Sequence, residues 1–248
     1  MASMTDIQTA ASSAIGGRSC QEDSCEVFAL AGGSRHCAVV ADGMGGHEAG
    51  DMASALAVQA CLALAASAMA GAEPEAFLTE AVAKAHRAVR RFGDQEGVDG
   101  RTTIVIALVE GMRVHAVNVG DSRAYHVTGG GSQRITRDDS VPEMLLALGE
   151  ITEEEMATHP DQGRLTRSVG GPETPTPKVR RFDLALGEAV LLCSDGFWET
   201  VPPAEHATLL QTGDLKAALD GLCRTAARRG GARGDNVSAC ALRLPERS

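Results

Sequence analysis

The sequence predicts an α+β domain built in packed layers. Short apolar runs with turn signals between them follow one another along the chain, as strands of antiparallel sheets do. Paired helix-sized segments stand among them, without the strict strand–helix alternation of a parallel sheet. The 248 residues are 44% hydrophobic, which is enough for one large unit with a real core.

The elements follow in order. Residues 1–13 are read as an N-terminal tail, and 14–245 as a single domain. Ser24–Ala31 and His36–Ala41 form two strands about a Gly-Gly-Ser turn at Gly32–Ser34. The Gly-rich elbow Asp42–Gly46 leads into a helix reaching about Ala70, and Gly71–Pro74 breaks it. Pro74–Phe92 is a second helix, with Phe77, Ala81, Ala85 and Ala88 spaced for one face. Thr102–Val109, Met112–Val119, Ser122–Val127 and Gln133–Thr136 then read as one antiparallel meander, turned by Glu110-Gly111 and Gly129–Gly131. Helical segments follow at Val141–Leu148 and Thr152–Thr158, the latter opened by a Thr152/Glu155 capping box. A Pro/Thr-rich connection, Pro172–Pro177, precedes strands at Lys178–Leu184 and Ala189–Cys193. Pro202–Leu210 and Asp214–Arg229 are helical, and Val237–Leu242 is a closing strand.

Composition removes several function classes. A net charge of −10 opposes any broad grip on nucleic acid or anionic lipid, and 3% aromatics leave no base-stacking platform. Met52–Ala70 is nearly long enough to span a bilayer. It rests on Ala, carries Gln59 and Ser67, and lacks flanking Lys or Arg, so it reads as a buried helix. Seven cysteines, an odd number with no Cys-x-x-Cys, sit mostly in apolar runs, and the N-terminus shows no signal peptide. Both point to a reducing, cytoplasmic setting.

Three apolar strands end in an acid beside a glycine: Cys37-Ala-Val-Val-Ala-Asp42-Gly43, Val117-Asn-Val-Gly-Asp121, and Val190-Leu-Leu-Cys-Ser-Asp195-Gly196. Asp235 stands before the last strand, and Glu22-Asp23 before the first. One Asp-Gly is an ordinary turn former. The same design three times is a cluster of like charges, which survives where divalent cations neutralise it. Oxygen ligands without Cys or His suit Mg²⁺ or Mn²⁺, and Gly43 and Gly196 would let an ion reach the backbone.

The motifs then run in a telling order: Arg18-Ser-Cys-Gln-Glu22-Asp23, Val39-Val-Ala-Asp42-Gly-Met-Gly-Gly-His47, Thr102-Thr103, Val119-Gly-Asp121-Ser-Arg123, Leu165-Thr-Arg-Ser-Val-Gly170, Ser194-Asp195-Gly196 and Gly234-Asp235-Asn236. From about residue 14 to 242 the chain resembles the bacterial metal-dependent protein phosphatases of the PPM type, the protein phosphatase 2C family. The resemblance implies a four-layer α-β-β-α sandwich, two central antiparallel sheets flanked by helix pairs. It implies a Ser/Thr phosphoprotein phosphatase with two Mn²⁺ or Mg²⁺ ions, in which activated water attacks the phosphate in line without a covalent intermediate. By position Asp42 would bridge both ions and the Gly43 carbonyl would bind one; Asp195 and Asp235 would hold the other. Glu22 and Asp23 would fix bound waters, with Asn236 beside them, and Asp121 would anchor a third, weaker ion. Arg18 would hold the substrate phosphate through its planar fork. Substrates would be phosphoserine or phosphothreonine proteins, and the partner a bacterial Ser/Thr kinase, with no nucleic acid or membrane and a monomeric protein. A substrate-selecting flap would cover about 138–170.

The chain departs from the family pattern at three places. Gln21 replaces the usual Asn, and Arg101 stands before Thr102-Thr103 where Gly is usual. Met44 takes the place where many relatives carry a His acid, which leaves His47 as the nearest candidate acid. Rival chemistry is weak. Cys223 and Arg229 have the Cys-x5-Arg spacing of cysteine phosphatases, yet the residues between lack glycines and lie in a helical pattern. Neither Gly-x-Ser-x-Gly, a P-loop nor His-Glu-x-x-His occurs. A PPM-like binding module without catalysis is opposed by retention of Asp42, Asp195 and Asp235, and a two-metal nuclease by the negative charge.

Overall fold

The computed structural model describes residues 7–30, 33–45, 47–67, 72–156 and 159–246. Eleven strands and six helices occur among them: β1 Gln8–Ala14, β2 Asp23–Ala29, β3 Arg35–Met44, α1 His47–Ser67, α2 Pro74–Glu96, β4 Arg101–Thr102, β5 Ile104–Glu110, β6 Arg113–Val119, β7 Arg123–Thr128, β8 Gly131–Arg134, α3 Val141–Leu148, α4 Glu153–Met156, β9 Arg180–Asp183, β10 Ala189–Cys193, α5 Asp195–Trp198, α6 Leu215–Gly230 and β11 Val237–Arg243. One sheet runs β1-β11-β10-β7-β8 and the other β2-β3-β5-β6-β9, with β4 beside the end of β3. The pairings are antiparallel throughout.

The layers follow from alternation along the strands. In β3, Cys37, Val39 and Ala41 face α1 and α2, while Ala38 and Val40 face the second sheet. In β10, Val190 and Leu192 point into the space between sheets, and Leu191 and Cys193 point to α6. Central strands are therefore buried on both faces, which is why they read as unbroken apolar runs. The result is the expected α+β sandwich of four layers. Its outer layers differ: α1 and α2 form a true helix pair, whereas the other side has α6 with a 3₁₀ segment, Pro203–Leu210.

The apolar stretch Ala49–Ser67 is long enough to cross a membrane. Here it lays Ala53, Ala57, Cys61 and Ala65, one residue per turn, into the core against β3 and α2. Small side chains let this helix approach the sheet closely. On α2 the buried stripe ends on Val89 rather than Ala88.

Three expectations are corrected. Residues 8–14 are not tail but an edge strand, paired with β11 from Gln8↔Arg243 to Ala14↔Val237. Its Ala/Ser-rich sequence buries little, so backbone pairing and not side-chain pattern holds it. The run from 102 to 136 is not one meander: β5 and β6 belong to one sheet, β7 and β8 to the other. Alternation reports a strand but not its partner, so the crossing at Gly120–Ser122 left no signal. Within that run, the last strand is Gly131–Arg134, because Gly131 itself pairs with Thr128 across the turn. The Gly-Gly-Ser turn and the ends of the first and fourth predicted helices, near Ala70 and Thr158, fall partly outside the described residues.

Candidate active site

β3, β6 and β10 end, and β2, β7 and β11 begin, at one end of the sandwich. Antiparallel pairing brings their loops together there, with Asp23 directly opposite Asp42 in the β2–β3 register. Positions 217 apart in the sequence become neighbours: the Arg18 guanidinium reaches the Asp235 carboxylate at 2.6 Å.

The backbone of Asp42 is clamped. Its N–H donates to Thr103 Oγ1 at 3.0 Å, and its carbonyl accepts from the Thr103 N–H and the Thr102 hydroxyl, both at 2.8 Å. Thr103 Oγ1 continues to Ser122 Oγ at 2.7 Å, beside Asp121. The paired threonines thus hold Asp42 in place and leave its carboxylate free. Gly43 donates its N–H to the Glu22 carbonyl at 3.1 Å. A Cβ there would overlap the Gly50 carbonyl and come within 2.6 Å of the Glu22 oxygen, so only glycine lets β3 pass.

Asn236 ties the first and last loops. Its Oδ1 accepts from the Glu22 N–H at 2.8 Å, and its Nδ2 donates to the Ile15 and Cys20 carbonyls, both at 2.9 Å. Ser194, just before Asp195, donates its hydroxyl to Asp23 Oδ2 at 2.8 Å. Asp121 sits on the crossing between sheets, where Gly120 takes φ 95. Its carbonyl accepts from the Trp198 indole at 3.0 Å, and the Arg123 guanidinium lies 3.4 Å over that indole ring. Arg123 is engaged with buried Asp138 at 2.6 Å, so the carboxylate of Asp121 is not its partner.

These carboxyl groups crowd one another. Burial, then the charges of Asp23, Asp195 and Asp121, hold Asp42 well above the ordinary carboxylate range. Asp121 is raised in the same way by burial, Asp195 and Asp138. Asp195 is raised by burial and Asp235, against hydrogen bonds from Asp42 and the Gly196 backbone. Burial pushes Asp23 up to about 7, with Asp195 adding to it. Buried oxygens Asp23 Oδ1 and Asp195 Oδ1 have no hydrogen-bond partner. Among the described residues no three such side chains close into a finished cage, since Asp235 is turned to Arg18 and Asp23 to Ser194. An all-oxygen set with orphaned, like-charged donors nevertheless fits hard divalent cations.

The structure brings Arg18, Glu22, Asp23, Asp42, Gly43, Asp121, Asp195, Asp235 and Asn236 to this one end. His47 begins α1, but its side chain lies outside the described residues. Cys223 is elsewhere, buried on α6, its thiol pushed up to about 12 by burial and donated to the Ser12 carbonyl. Arg229 binds Glu205 and the Thr200 carbonyl, so the Cys-x5-Arg pair forms no anion loop. Sequence reasoning missed Trp198 and Glu199. Desolvation, then the Asp195 and Asp235 charges, raise Glu199 to about 7. Its spacing of four from Asp195, one helical turn, was the available signal.

A two-sheet sandwich with carboxylates massed at one end defines the class of metal-dependent protein phosphatases. The profile of the protein phosphatase 2C family matches residues 11–234, and the chain belongs to that family. It is 36% identical over 203 residues to the serine/threonine protein phosphatase PstP of Mycobacterium tuberculosis, a match covering 80% of this chain and 38% of the relative. The chain therefore spans well under half of that protein's length. The crystal structure of the M. tuberculosis phosphatase superposes with a TM-score of 0.85 at 32% identity, covering 96% of this chain and 99% of that one. The catalytic domain of PstP in complex with two manganese ions superposes with a TM-score of 0.82 at 30% identity, over 97% and 99% of the two chains.

Proposed function

We propose that this protein is a metal-dependent phosphatase of phosphoserine and phosphothreonine proteins. The observation that carries the reading is the buried carboxylate cluster with two orphaned oxygens, Asp23 Oδ1 and Asp195 Oδ1, at the mouth of the sandwich. Asp42, Asp195, Asp235 and the Gly43 carbonyl would hold two ions, Mn²⁺ or Mg²⁺, and Asp121 a third. Glu22, Asp23 and Asn236 would order the waters and loops around them. Bound ions would supply Lewis-acid activation of water and would screen the phosphate charge.

The chain's own residues do the rest. Arg18 is half exposed and paired only at its tip, so its fork can leave Asp235 for two phosphate oxygens once a cation neutralises that carboxylate. The Thr102-Thr103 clamp keeps the Asp42 carboxylate oriented through the reaction. No cysteine is placed as a nucleophile, and direct attack by water is the reaction this site favours. Met44 carries no proton to give. The partner of such an enzyme is a Ser/Thr kinase, and seven free thiols favour a reducing, cytoplasmic setting.

The test is phosphate release from a phosphothreonine peptide in Mn²⁺ or Mg²⁺, with and without EDTA. Release that needs the metal is expected. Folded protein that releases nothing in either metal would be a binding module instead.

A further inference from the structure

Next to the carboxylate cluster lies a groove of about 700 Å³, walled by Met44 and Arg101 on one side and by Arg164, Arg167 and the Pro172–Thr176 turn on the other. It shares its wall with the site. Met44 pairs with Arg101 and Gly43 with Thr102, the residue whose hydroxyl binds the Asp42 carbonyl. Thr102 also bridges to Val169, which fixes the far wall against the near one. Three guanidinium groups line this space against one carboxylate, Glu173, on a protein whose net charge is −10.

The three are not equivalent. Arg101 is held by Asp99 through two hydrogen bonds of 2.8 Å, and Arg167 is paired with Asp139. Arg164 is exposed and has no carboxylate partner among the described residues. Its backbone is pinned on both sides: the N–H donates to the Asp161 carbonyl and the carbonyl accepts from the Val141 N–H, both at 2.9 Å. A cation is thus presented from a fixed point and spent on nothing internal. Prolines 172 and 175 stiffen the lip on the same side.

We infer that this groove selects substrates carrying an anionic side chain, carboxylate or phosphate, close to the phosphorylated residue, with Arg164 and Arg101 as its specificity determinants. The inference rests on the phosphatase reading above and names its substrate class. Geometry gives the spacing. Met44 lies two residues beyond Asp42 along an extended strand, about 7 Å, and an extended peptide advances about 3.3 Å per residue. The anionic side chain therefore belongs about two residues from the phosphorylated one. Elsewhere the acidic surface repels such a peptide, so the local field also guides its approach.

The experiment compares kcat/KM for phosphothreonine peptides differing only at the residues two positions away on either side: Glu, Gln, Lys, or a non-hydrolysable phosphonate analogue of phosphoserine. Glu over Gln by about two- to fivefold is expected, carried by KM, as an exposed charged pair provides. Arg164→Gln should bring the ratio close to one, each variant being referred to its own Gln peptide. Arg164→Glu should invert it, favouring Lys, and Arg101→Gly should halve it or more. High salt should flatten the preference. A phosphonate ranked above Glu identifies a second phosphate as the recognised group; a Glu ranked level or above identifies a carboxylate. Equal kcat/KM for the Glu and Gln peptides with the wild-type protein would overturn this inference and leave the phosphatase reading standing, as would a Glu preference that survives Arg164→Glu. No turnover of any peptide in either metal would overturn both.

Discussion

Asp42 carries two kinds of bond, and they separate cleanly. Its backbone is tied to Thr102 and Thr103, while its carboxylate meets only other acids. Replacing it by Asn keeps the backbone bonds and removes the charge. Asp42→Asn and Asp195→Asn are therefore expected to fold, to lose metal-stimulated turnover to below a few per cent, and to melt in EDTA at or above the wild-type temperature. Circular dichroism beside phosphopeptide kinetics checks this, and a variant that keeps substantial turnover would remove that residue from the metal set. Asp121 differs. It lies on the crossing between sheets rather than in the β2–β3 register that pairs Asp23 with Asp42, and Arg123 is committed to Asp138. A site offering one or two carboxylates holds Mg²⁺ or Mn²⁺ weakly. Asp121→Ala should keep two tight ions by calorimetry, keep its fold, and still turn over well below wild type, with partial recovery in excess Mn²⁺. Unchanged kinetics would confine Asp121 to its turn; loss of the tight ions would move it into the core centre.

The elements that build the site are short or irregular. α5 has four residues, yet it carries Asp195 at its start and Trp198, whose indole binds the Asp121 carbonyl. β4 has two residues and joins the site to the groove. The long elements serve as scaffold, and α6 shows it. Cys223 on α6 lies buried against the β1 carbonyl of Ser12, with its thiol near 12, so little thiolate exists at neutral pH. Cys223→Ser should leave kcat/KM within about twofold of wild type, since the nucleophile is water. A large loss of rate in folded Cys223→Ser protein would restore a cysteine mechanism.

At the scale of the molecule, folding and metal binding are linked through the carboxyl groups. In the metal-free protein burial pushes the Asp23 carboxyl up to about 7, against an ordinary 3.8. The folded state then holds a proton that the unfolded chain has released, so stability is full below about 3.8 and is lost as pH rises toward 7. Asp42 and Asp121 push in the same direction. The melting temperature in EDTA is expected to fall between pH 5 and pH 8. Saturating Mn²⁺ should abolish or reverse that slope, because cations favour the ionised form. Parallel slopes with and without metal would show that these carboxyl groups do not bind it.

The sequence by itself determined the layers and most of the acids. β10 and α3 match their expected bounds, because an apolar run between turn signals, or a Ser-capped segment ending at Gly149, has only one local solution. Repetition of an acid after an apolar strand pointed to Asp42, Asp121 and Asp195. What local pattern could not carry was partnership. β1 escaped notice because Gln8–Ala14 buries little and is held by its ladder with β11. The crossing that places Asp121 escaped because a strand's alternation is the same whichever sheet receives it. Nothing in the sequence singled out Arg164; the fold sets it beside Met44 and Arg101, and it makes no ion pair among the described residues. Only the tertiary structure decided these, since which charges meet, and which are left without a partner, depends on residues far apart in the chain and adjacent in space.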